Sequence, residues 1–169
     1  MKINREWAMP SKNTFSIKPI FNLVSKYASD EIESCDPFAN SNRIAKYCND
    51  LDPQYKTEYC MDAIDFLKQF KDGSMDLVLF DPPYSPRQVS ECYKSLDMTV
   101  NMKTTQSSFW GNLKKEIQRV LKKDGVVITF GWNSGGIGKT KGFEIQEILM
   151  IAHGGWHNDT ICTVEKKSL

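Results

Sequence analysis

The sequence predicts an α/β protein with a doubly wound, mostly parallel β-sheet. Short apolar runs bounded by turn residues alternate with amphipathic helical stretches along nearly the whole chain, which is typical of repeated βαβ units. The most apolar run, residues 77–80, has no polar alternation, as expected of a strand covered on both faces. At 169 residues the chain is expected to form one domain, residues 1–169, with about seven strands, one of them an antiparallel edge strand.

The first half of the chain is expected to supply two helices and three short strands. Residues 18–28 are predicted to form a helix because their apolar side chains recur at helical spacing. The strands are expected at residues 32–36, 44–48 and 57–60. Asp62 stands where an N-cap belongs, so a second helix is expected to follow it and to end near Phe70.

The second half is expected to contain the central strand, one long helix and three further strands. The central strand covers residues 76–80, and the helix covers residues 110–121 because its apolar side chains fall on one face. The further strands are expected at residues 126–130, 145–152 and 160–164, the last two joined by a long hairpin connection. The polar segment 85–109 lacks strong periodicity and is expected to be a mobile, substrate-binding loop.

Four residues directly after the central strand carry the clearest chemical signal: Asp81, Pro82, Pro83 and Tyr84, which we call the DPPY loop. Proline lacks an N–H and fixes its own φ, so the two prolines end the strand, and the second also keeps the first extended. The loop is therefore expected at the carboxyl end of a parallel strand, where open α/β sheets bind their ligands.

The DPPY loop suits substitution at the exocyclic amine of a nucleobase, whose lone pair is delocalised into the ring. The Asp81 carboxylate and the Pro82 carbonyl would accept the two N–H bonds, localise the lone pair and stabilise the positive charge that develops on the nitrogen. Tyr84 would stack on the base and hold it in line with the donor. The alternative is a turn that only ends a strand, and the tetrapeptide alone leaves both interpretations open.

Composition and charge indicate a globular protein that acts on a polyanion. The five cysteines form no Cys-x-x-Cys pair, no apolar run approaches membrane-spanning length, and no signal peptide is evident, so a reduced cytoplasmic protein without a membrane partner is expected. The net charge is −3 for residues 1–84, +6 for residues 85–142 and −2 for residues 143–169. The basic segment directly follows the DPPY loop and suits a polyanionic substrate, although a solvated helix face is the alternative.

Several ordered motifs resemble the DNA amino-methyltransferases that use S-adenosylmethionine, and most closely the small phage-type adenine methylases that consist of the catalytic domain alone. The likeness extends from Phe15 to about Glu165. It implies a Rossmann-like class I methyltransferase fold, catalytic roles for the four residues of the DPPY loop, and DNA as the partner. It also implies a bacterial or phage-infected cytoplasm as the location and protection against restriction as the purpose.

The resemblance assigns the cofactor contacts residue by residue. Asp36, Pro37 and Phe38 match the loop that wraps the methionine part of S-adenosylmethionine, and Asp50, preferred over Asp52, matches the acid that binds the ribose hydroxyls. The other matching positions are Asp62 near the cofactor's adenine, Asp81, and Phe15 and Lys18 in the N-terminal motif that closes over the cofactor carboxylate.

The chain departs from the family pattern at two points. Asn40 and Asn42 stand where larger members carry glycines, and asparagine is the non-glycine residue that best tolerates a positive φ. The chain is also expected to lack a separate target-recognition domain. No phosphate-cradling glycine loop is present, which argues against NAD, FAD or ATP as the cofactor.

Nucleic-acid contacts are therefore expected from the segment 85–109, through Arg87, Lys94 and Lys103. Trp156 is expected either to face the flipped base opposite Tyr84 or to cap the core. His153 and His157 are separated by two glycines and lack a third ligand, so no metal site is predicted. A monomer or homodimer is expected, and a partner that supplies specificity is left open.

The sequence thus predicts methyl transfer from S-adenosylmethionine to the exocyclic amine of a flipped base, most closely adenine N6 in DNA, by direct in-line attack. Cytosine N4 in DNA and a base amine in RNA are alternative targets. An alternative of another class is a nucleic-acid-binding subunit that has lost catalysis, an interpretation supported by the two asparagines and opposed by the intact DPPY loop.

Overall fold

A computed structural model describes residues 1–96 and 107–169. The strands are β1 (Lys2–Trp7), β2 (Ser34–Asp36), β3 (Tyr47–Cys48), β4 (Met75–Phe80), β5 (Leu121–Gly131), β6 (Phe143–Ala152) and β7 (Thr160–Lys167). The helices are α1 (Lys18–Ser25), α2 (Ala63–Leu67), α3 (Pro86–Ser95) and α4 (Ser107–Val120). The strands form one seven-stranded sheet in the order β1-β6-β7-β5-β4-β2-β3.

The predicted fold class is confirmed, because the sheet is mostly parallel and carries helices on both faces. The alternating side chains of β4 point to opposite faces: Leu77 and Leu79 belong to the cluster that includes α1, while Val78 and Phe80 pack in the cluster that includes α2 and α4. One detail differs from the prediction. The antiparallel strand β7 lies inside the sheet, between β5 and β6, and not at its edge.

One strand was not predicted, and one predicted strand does not form. β1 pairs in parallel with β6 over its whole length but leaves almost every side chain exposed, so no apolar alternation marks it. The strand expected at residues 57–60 is reduced to a single parallel bridge between Asn49 and Tyr59. A left-handed Lys56 directly precedes this segment, with φ of 51°, which limits the extended pairing.

The segment 85–109 is not the loop that was expected, at least where the structure describes it. Residues 86–95 form α3, whose N-cap is the side chain of Ser85, and residues 107–109 already belong to α4. Residues 97–106, including Lys103, lie outside the described residues. In the described ranges, no helix is long and apolar enough to cross a membrane.

Candidate active site

The site lies at the carboxyl ends of the neighbouring parallel strands β2, β3 and β4. A cavity of about 560 Å³ opens there, and we call it the active-site cavity. The predicted residues that line it are Pro37, Phe38, Asp50, Asp62, Asp81, Pro82, Pro83 and Tyr84. Each follows the end of a strand, or caps the next helix in the case of Asp62, which is why one sheet edge brings them together.

A short hydrogen bond holds the two ends of the DPPY loop together. The hydroxyl of Tyr84 donates to Asp81 Oδ1 at 2.6 Å. Burial raises the pKa of Asp81, and hydrogen bonds from the side chains of Thr14 and Tyr84 counteract that rise because they stabilise the carboxylate. Burial is also the main cause that raises the pKa of Tyr84, followed by the charge of Asp81, so the phenol stays a donor.

The rest of the loop backbone is held by the two helices that follow it. The Tyr84 N–H donates to Gln88 Oε1 on α3 at 2.6 Å, and Trp110 Nε1–H on α4 donates to the Pro83 carbonyl at 3.0 Å. Within the described parts of the chain, no donor reaches the Pro82 carbonyl. Proline has no N–H, so the Asp81 carboxylate and the Pro82 carbonyl are acceptors carried by two residues that line the active-site cavity.

Asp36, the last residue of β2, is almost completely buried and does not line the active-site cavity. Its Oδ1 accepts the Phe38 N–H at 3.0 Å, whereas its Oδ2 has no partner among the described residues. Burial, followed by the charges of Asp81 and Asp50, raises the pKa of Asp36 well above its usual range. Three converging carboxyl groups and an unpaired buried oxygen suit a cationic ligand, and S-adenosylmethionine carries both an ammonium and a sulfonium group.

Asp50 orders the loop that follows β2. Its carboxylate accepts the N–H of Asn40 at 2.8 Å and the N–H of Asp52 at 3.0 Å, and burial raises its pKa. Asn40 adopts the left-handed conformation with φ of 54°, so it takes the backbone role expected of a glycine. The predicted tolerance of asparagine at this turn is therefore confirmed at Asn40, whereas Asn42 does not have a positive φ.

Asp62 is the N-cap of α2, as predicted. Its Oδ1 accepts the N–H of Ile64 at 2.9 Å, and its Oδ2 accepts the hydroxyl of Tyr93 on α3 at 2.8 Å. Both Asp62 and Tyr93 line the active-site cavity. Sequence reasoning did not find Tyr93, because the segment that carries it was expected to be a loop.

Besides the buried Asp36, two further predicted cofactor residues do not line the active-site cavity. Phe15 is buried in the core, where its ring packs edge-on against Phe130 with centroids 5.0 Å apart. Lys18 is exposed and lines a separate concavity described below. The N-terminal segment instead contributes Lys12, Asn13 and Thr14 to the cavity wall.

This N-terminal segment is tied to the loop after β2. Asn13 Nδ2 donates to Ser41 Oγ at 3.1 Å, and Asn42 Nδ2 donates to Asn13 Oδ1 at 3.2 Å. Asn42 therefore has a role that a glycine could not supply, since glycine has no side chain. These polar contacts are not marked by any periodicity, so the sequence alone gave no signal for them.

The predicted nucleic-acid residues that the structure describes, Arg87, Lys94 and Trp156, are not part of the cavity wall. Arg87 pairs with Glu91 at 2.8 Å on the exposed face of α3, and Lys94 is also exposed. Trp156 is 103% exposed, so the interpretation that it caps the core is wrong. The aromatic ring beside Tyr84 is that of Trp132, with centroids 5.7 Å apart and an interplanar angle of 76°.

His153 is a structural residue in the connection after β6. Its Nδ1 lies 2.8 Å from the Ala8 carbonyl oxygen and its Nε2 lies 2.8 Å from Thr160 Oγ1, so both ring nitrogens have partners. Over residues 1–96 and 107–169, no group of three or more His, Cys, Asp or Glu side chains is placed to hold a metal ion.

The strand order, the internal antiparallel strand and a cavity at the carboxyl edge define the Rossmann-like class I fold of the methyltransferases. Among solved structures, the chain is similar to TrmN from Thermus thermophilus, with a TM-score of 0.59, 15% identity, and coverage of 89% of this chain and 49% of that one. This chain thus spans about half the length of that protein.

Two further structures show the same fold. The putative methyltransferase yhhF from Escherichia coli has a TM-score of 0.55 and 12% identity, and the match covers 90% of this chain and 84% of that one. A Burkholderia thailandensis 1,6-didemethyltoxoflavin-N1-methyltransferase, solved with S-adenosylhomocysteine, has a TM-score of 0.54 and 10% identity, with coverage of 80% and 71%. No family model and no curated protein sequence matches the chain.

Proposed function

We propose that this protein transfers a methyl group from S-adenosylmethionine to the N6 amine of adenine in DNA. The observation that carries the proposal is the pattern of the DPPY loop: Asp81 with its carboxylate and Pro82 with its carbonyl both line the cavity, while Gln88 holds the Tyr84 N–H and Trp110 holds the Pro83 carbonyl. An exocyclic amine offers two N–H donors, so it matches this pattern. The likeness to several methyltransferase structures supports the proposal.

The residues of the loop divide the chemistry between them. S-adenosylmethionine supplies an electrophilic methyl group on a positively charged sulfur. Asp81 and the Pro82 carbonyl accept hydrogen bonds from the two N–H groups of the amine, draw the nitrogen towards tetrahedral geometry, and stabilise the positive charge that forms on it. S-adenosylhomocysteine would be the leaving group, and the Asp81 carboxylate would take up the proton that the methylated nitrogen then loses. Tyr84, which lines the same cavity, stacks on the base and fixes its direction of approach.

The three remaining acids belong to the cofactor side of the site, and two of them, Asp50 and Asp62, line the cavity. Asp36 is buried next to the lining residues Pro37 and Phe38, and its carboxyl group, whose Oδ2 has no partner among the described residues, favours a cation such as the ammonium group of the methionine part on that side of the cavity. Asp50 follows β3 and lines the cavity, so its carboxylate can accept from the ribose hydroxyls as well as from the backbone. Asp62 and Tyr93 line the cavity next to α2, and we assign this part of it to the adenine ring of S-adenosylmethionine.

Cytosine N4 and the base amines of RNA are the rival targets, because each is also an NH₂ group on an aromatic ring. The intact DPPY loop, in which the Tyr84 hydroxyl is hydrogen-bonded to Asp81, opposes the interpretation of a catalytically silent nucleic-acid-binding subunit. Adenine is preferred on the resemblance of the whole motif set.

Labelled S-adenosylmethionine tests the proposal directly. The protein is incubated with unmethylated single-stranded DNA, duplex DNA and RNA in parallel, and the products are digested to nucleosides and identified by mass spectrometry. N6-methyl-2′-deoxyadenosine is the expected product. N4-methylcytosine or label in RNA alone would replace the proposed substrate, and no incorporation despite bound cofactor would overturn the proposed activity.

A further inference from the structure

A second cavity lies next to the active-site cavity. It has a volume of about 450 Å³ and is lined by residues 7–11 and 16–19. Ser11 and Ile17 line both cavities, so the two are direct neighbours. None of the residues that line the second cavity contributes to the chemistry assigned above.

The wall of the second cavity combines an aromatic ring with a positive charge. Trp7, at the end of β1, is 63% exposed although tryptophan is usually well covered in folded proteins. Met9 and the two prolines of the lining give further apolar surface. Lys18 is the one charged side chain among the described lining residues. A flat ring attached to an anion is complementary to such a wall.

The backbone at Trp7 is fixed in place. Ala8 N–H donates to the Ala152 carbonyl at 3.1 Å, and the Ala8 carbonyl lies 2.8 Å from His153 Nδ1. The indole is therefore presented from an ordered strand end, which limits the entropy that binding would cost.

We propose that the second cavity binds the nucleobase next to the target base on a single DNA strand, with Trp7 stacking on that base and Lys18 contacting its phosphate. The inference rests on the proposed function, because it takes the active-site cavity as the place of the target base. The inference also gives Lys18 a role, a phosphate contact, in the second cavity that it lines.

Single-stranded DNA is the form of substrate that fits this arrangement. A base that stacks on Trp7 must be separated from its pairing partner, and the target base must be separated as well. In a duplex, the separation of each of these two bases from its partner costs unpairing energy. In a single strand the bases are already unpaired, so successive bases can stack on aromatic rings without that cost.

Binding measurements with matched variants test the inference. A fluorescent mixed-sequence DNA strand, its duplex and the RNA of the same sequence are titrated with wild type, Trp7→Ala, Trp7→Phe and Phe21→Ala, at constant salt. Phe21 is the control because it is 49% exposed on α1 and lines neither cavity. We expect Trp7→Ala to weaken binding of single-stranded DNA about tenfold, Trp7→Phe to retain most of the affinity, and Phe21→Ala to change nothing.

Lys18→Ala provides an independent readout of the phosphate contact. Removal of one contact should reduce the slope of log K against log salt concentration by about 0.7 for a single strand. Lys18→Arg should restore the slope, because arginine keeps the charge. The thermal stability and the S-adenosylmethionine affinity of all these variants should match wild type.

Four results would overturn the inference: unchanged single-strand binding by Trp7→Ala, tighter binding of duplex than of single strand by wild type, an effect of Trp7→Ala on RNA alone, or loss of a dimer in Trp7→Ala. The last would make a second copy of the chain the occupant. If wild type transfers no methyl group to any of the nucleic acids, the proposed function fails; if wild type is active and Trp7→Ala behaves like it, only the present inference fails.

Discussion

The Tyr84 hydroxyl lies 2.6 Å from Asp81 Oδ1, so the aromatic residue that should hold the base also stabilises the carboxylate that should hold its amine. This contact, together with that of Thr14, opposes the rise in the pKa of Asp81 caused by burial. The ionised carboxylate is the stronger acceptor of an N–H bond, and only this form carries the negative charge that stabilises a positive nitrogen. The structure therefore links the pH dependence of the reaction to Tyr84.

Tyr84→Phe should move the acidic limb of the activity profile to higher pH. The variant keeps the ring for stacking but removes a donor to the carboxylate, so the pKa of Asp81 rises further and more of the enzyme is protonated at a given pH. The measurement is kcat/KM for methyl transfer across pH. Thr14→Val should shift the limb in the same direction without touching the ring, and a shift to lower pH in either variant would contradict the assignment.

The stability of the cofactor-free protein should fall as pH rises, in part because of Asp36. Its pKa is raised in the folded protein, so folding favours the protonated form. The stability from this group is fully present below the pKa of the unfolded chain and is lost as pH rises through the folded pKa. A tenfold change in the equilibrium constant of folding corresponds to about 1.4 kcal/mol of unfolding free energy. For a domain of this size, that free energy corresponds to a shift in Tm of roughly 3–6 °C.

Tm measured against pH, with and without S-adenosylmethionine, checks this expectation. Asp36→Asn should flatten the pH dependence and weaken cofactor binding, because the amide is neutral. The cofactor should flatten the curve of wild type, since a cation beside Asp36 favours the carboxylate. A pH dependence that is the same in wild type and variant would show that Asp36 does not titrate in this way.

Trp110→Phe should slow methyl transfer and leave cofactor affinity unchanged. The variant keeps an aromatic ring beside Phe109 but loses the N–H that holds the Pro83 carbonyl. A lost hydrogen bond of about 1 kcal/mol corresponds to roughly fivefold in kcat. Trp156→Phe is the matched control, because Trp156 is fully exposed. A rise in KM with unchanged kcat would argue against a role for Trp110 in positioning the loop.

The product should be a monomethylated amine. Asp81 and the Pro82 carbonyl accept two N–H bonds, and a methylated amine has only one left to give. A second transfer would leave a buried acceptor unpaired, which costs about 1–3 kcal/mol. Exhaustive methylation followed by nucleoside mass spectrometry should therefore show no dimethylated base, and a dimethylated base as a major product would refute the two-acceptor geometry.

The sequence predicted the centre of the sheet and of the site, because strong local signals mark them. The apolar run of β4 is buried on both faces, and the prolines of the DPPY loop end it at Phe80. Asp62 caps α2 because its side chain accepts the N–H of Ile64, two residues further on, and Asn40 has a positive φ, which asparagine tolerates. Each of these features depends on residues close in sequence.

The parts that could not be predicted depend on contacts between distant segments. β1 is held by backbone pairing with β6, so its side chains carry no pattern. Trp110 reaches the Pro83 carbonyl from α4, 27 residues further along the chain, and Asn13, which stands between the cavity-lining Lys12 and Thr14, is tied to Ser41 in the loop after β2. The family likeness placed Phe15 and Lys18 by order in the chain, and the fold assigns them to the core and to the second cavity.

Asp81→Ala provides the most direct test of the central claim that the DPPY loop holds an amine for methyl transfer. Single-turnover transfer from labelled S-adenosylmethionine to single-stranded DNA is measured for wild type and variant, with the affinities for cofactor and DNA determined in parallel. We predict that the variant loses turnover while its affinity for DNA stays close to that of wild type. Comparable methylation by Asp81→Ala would contradict the claim.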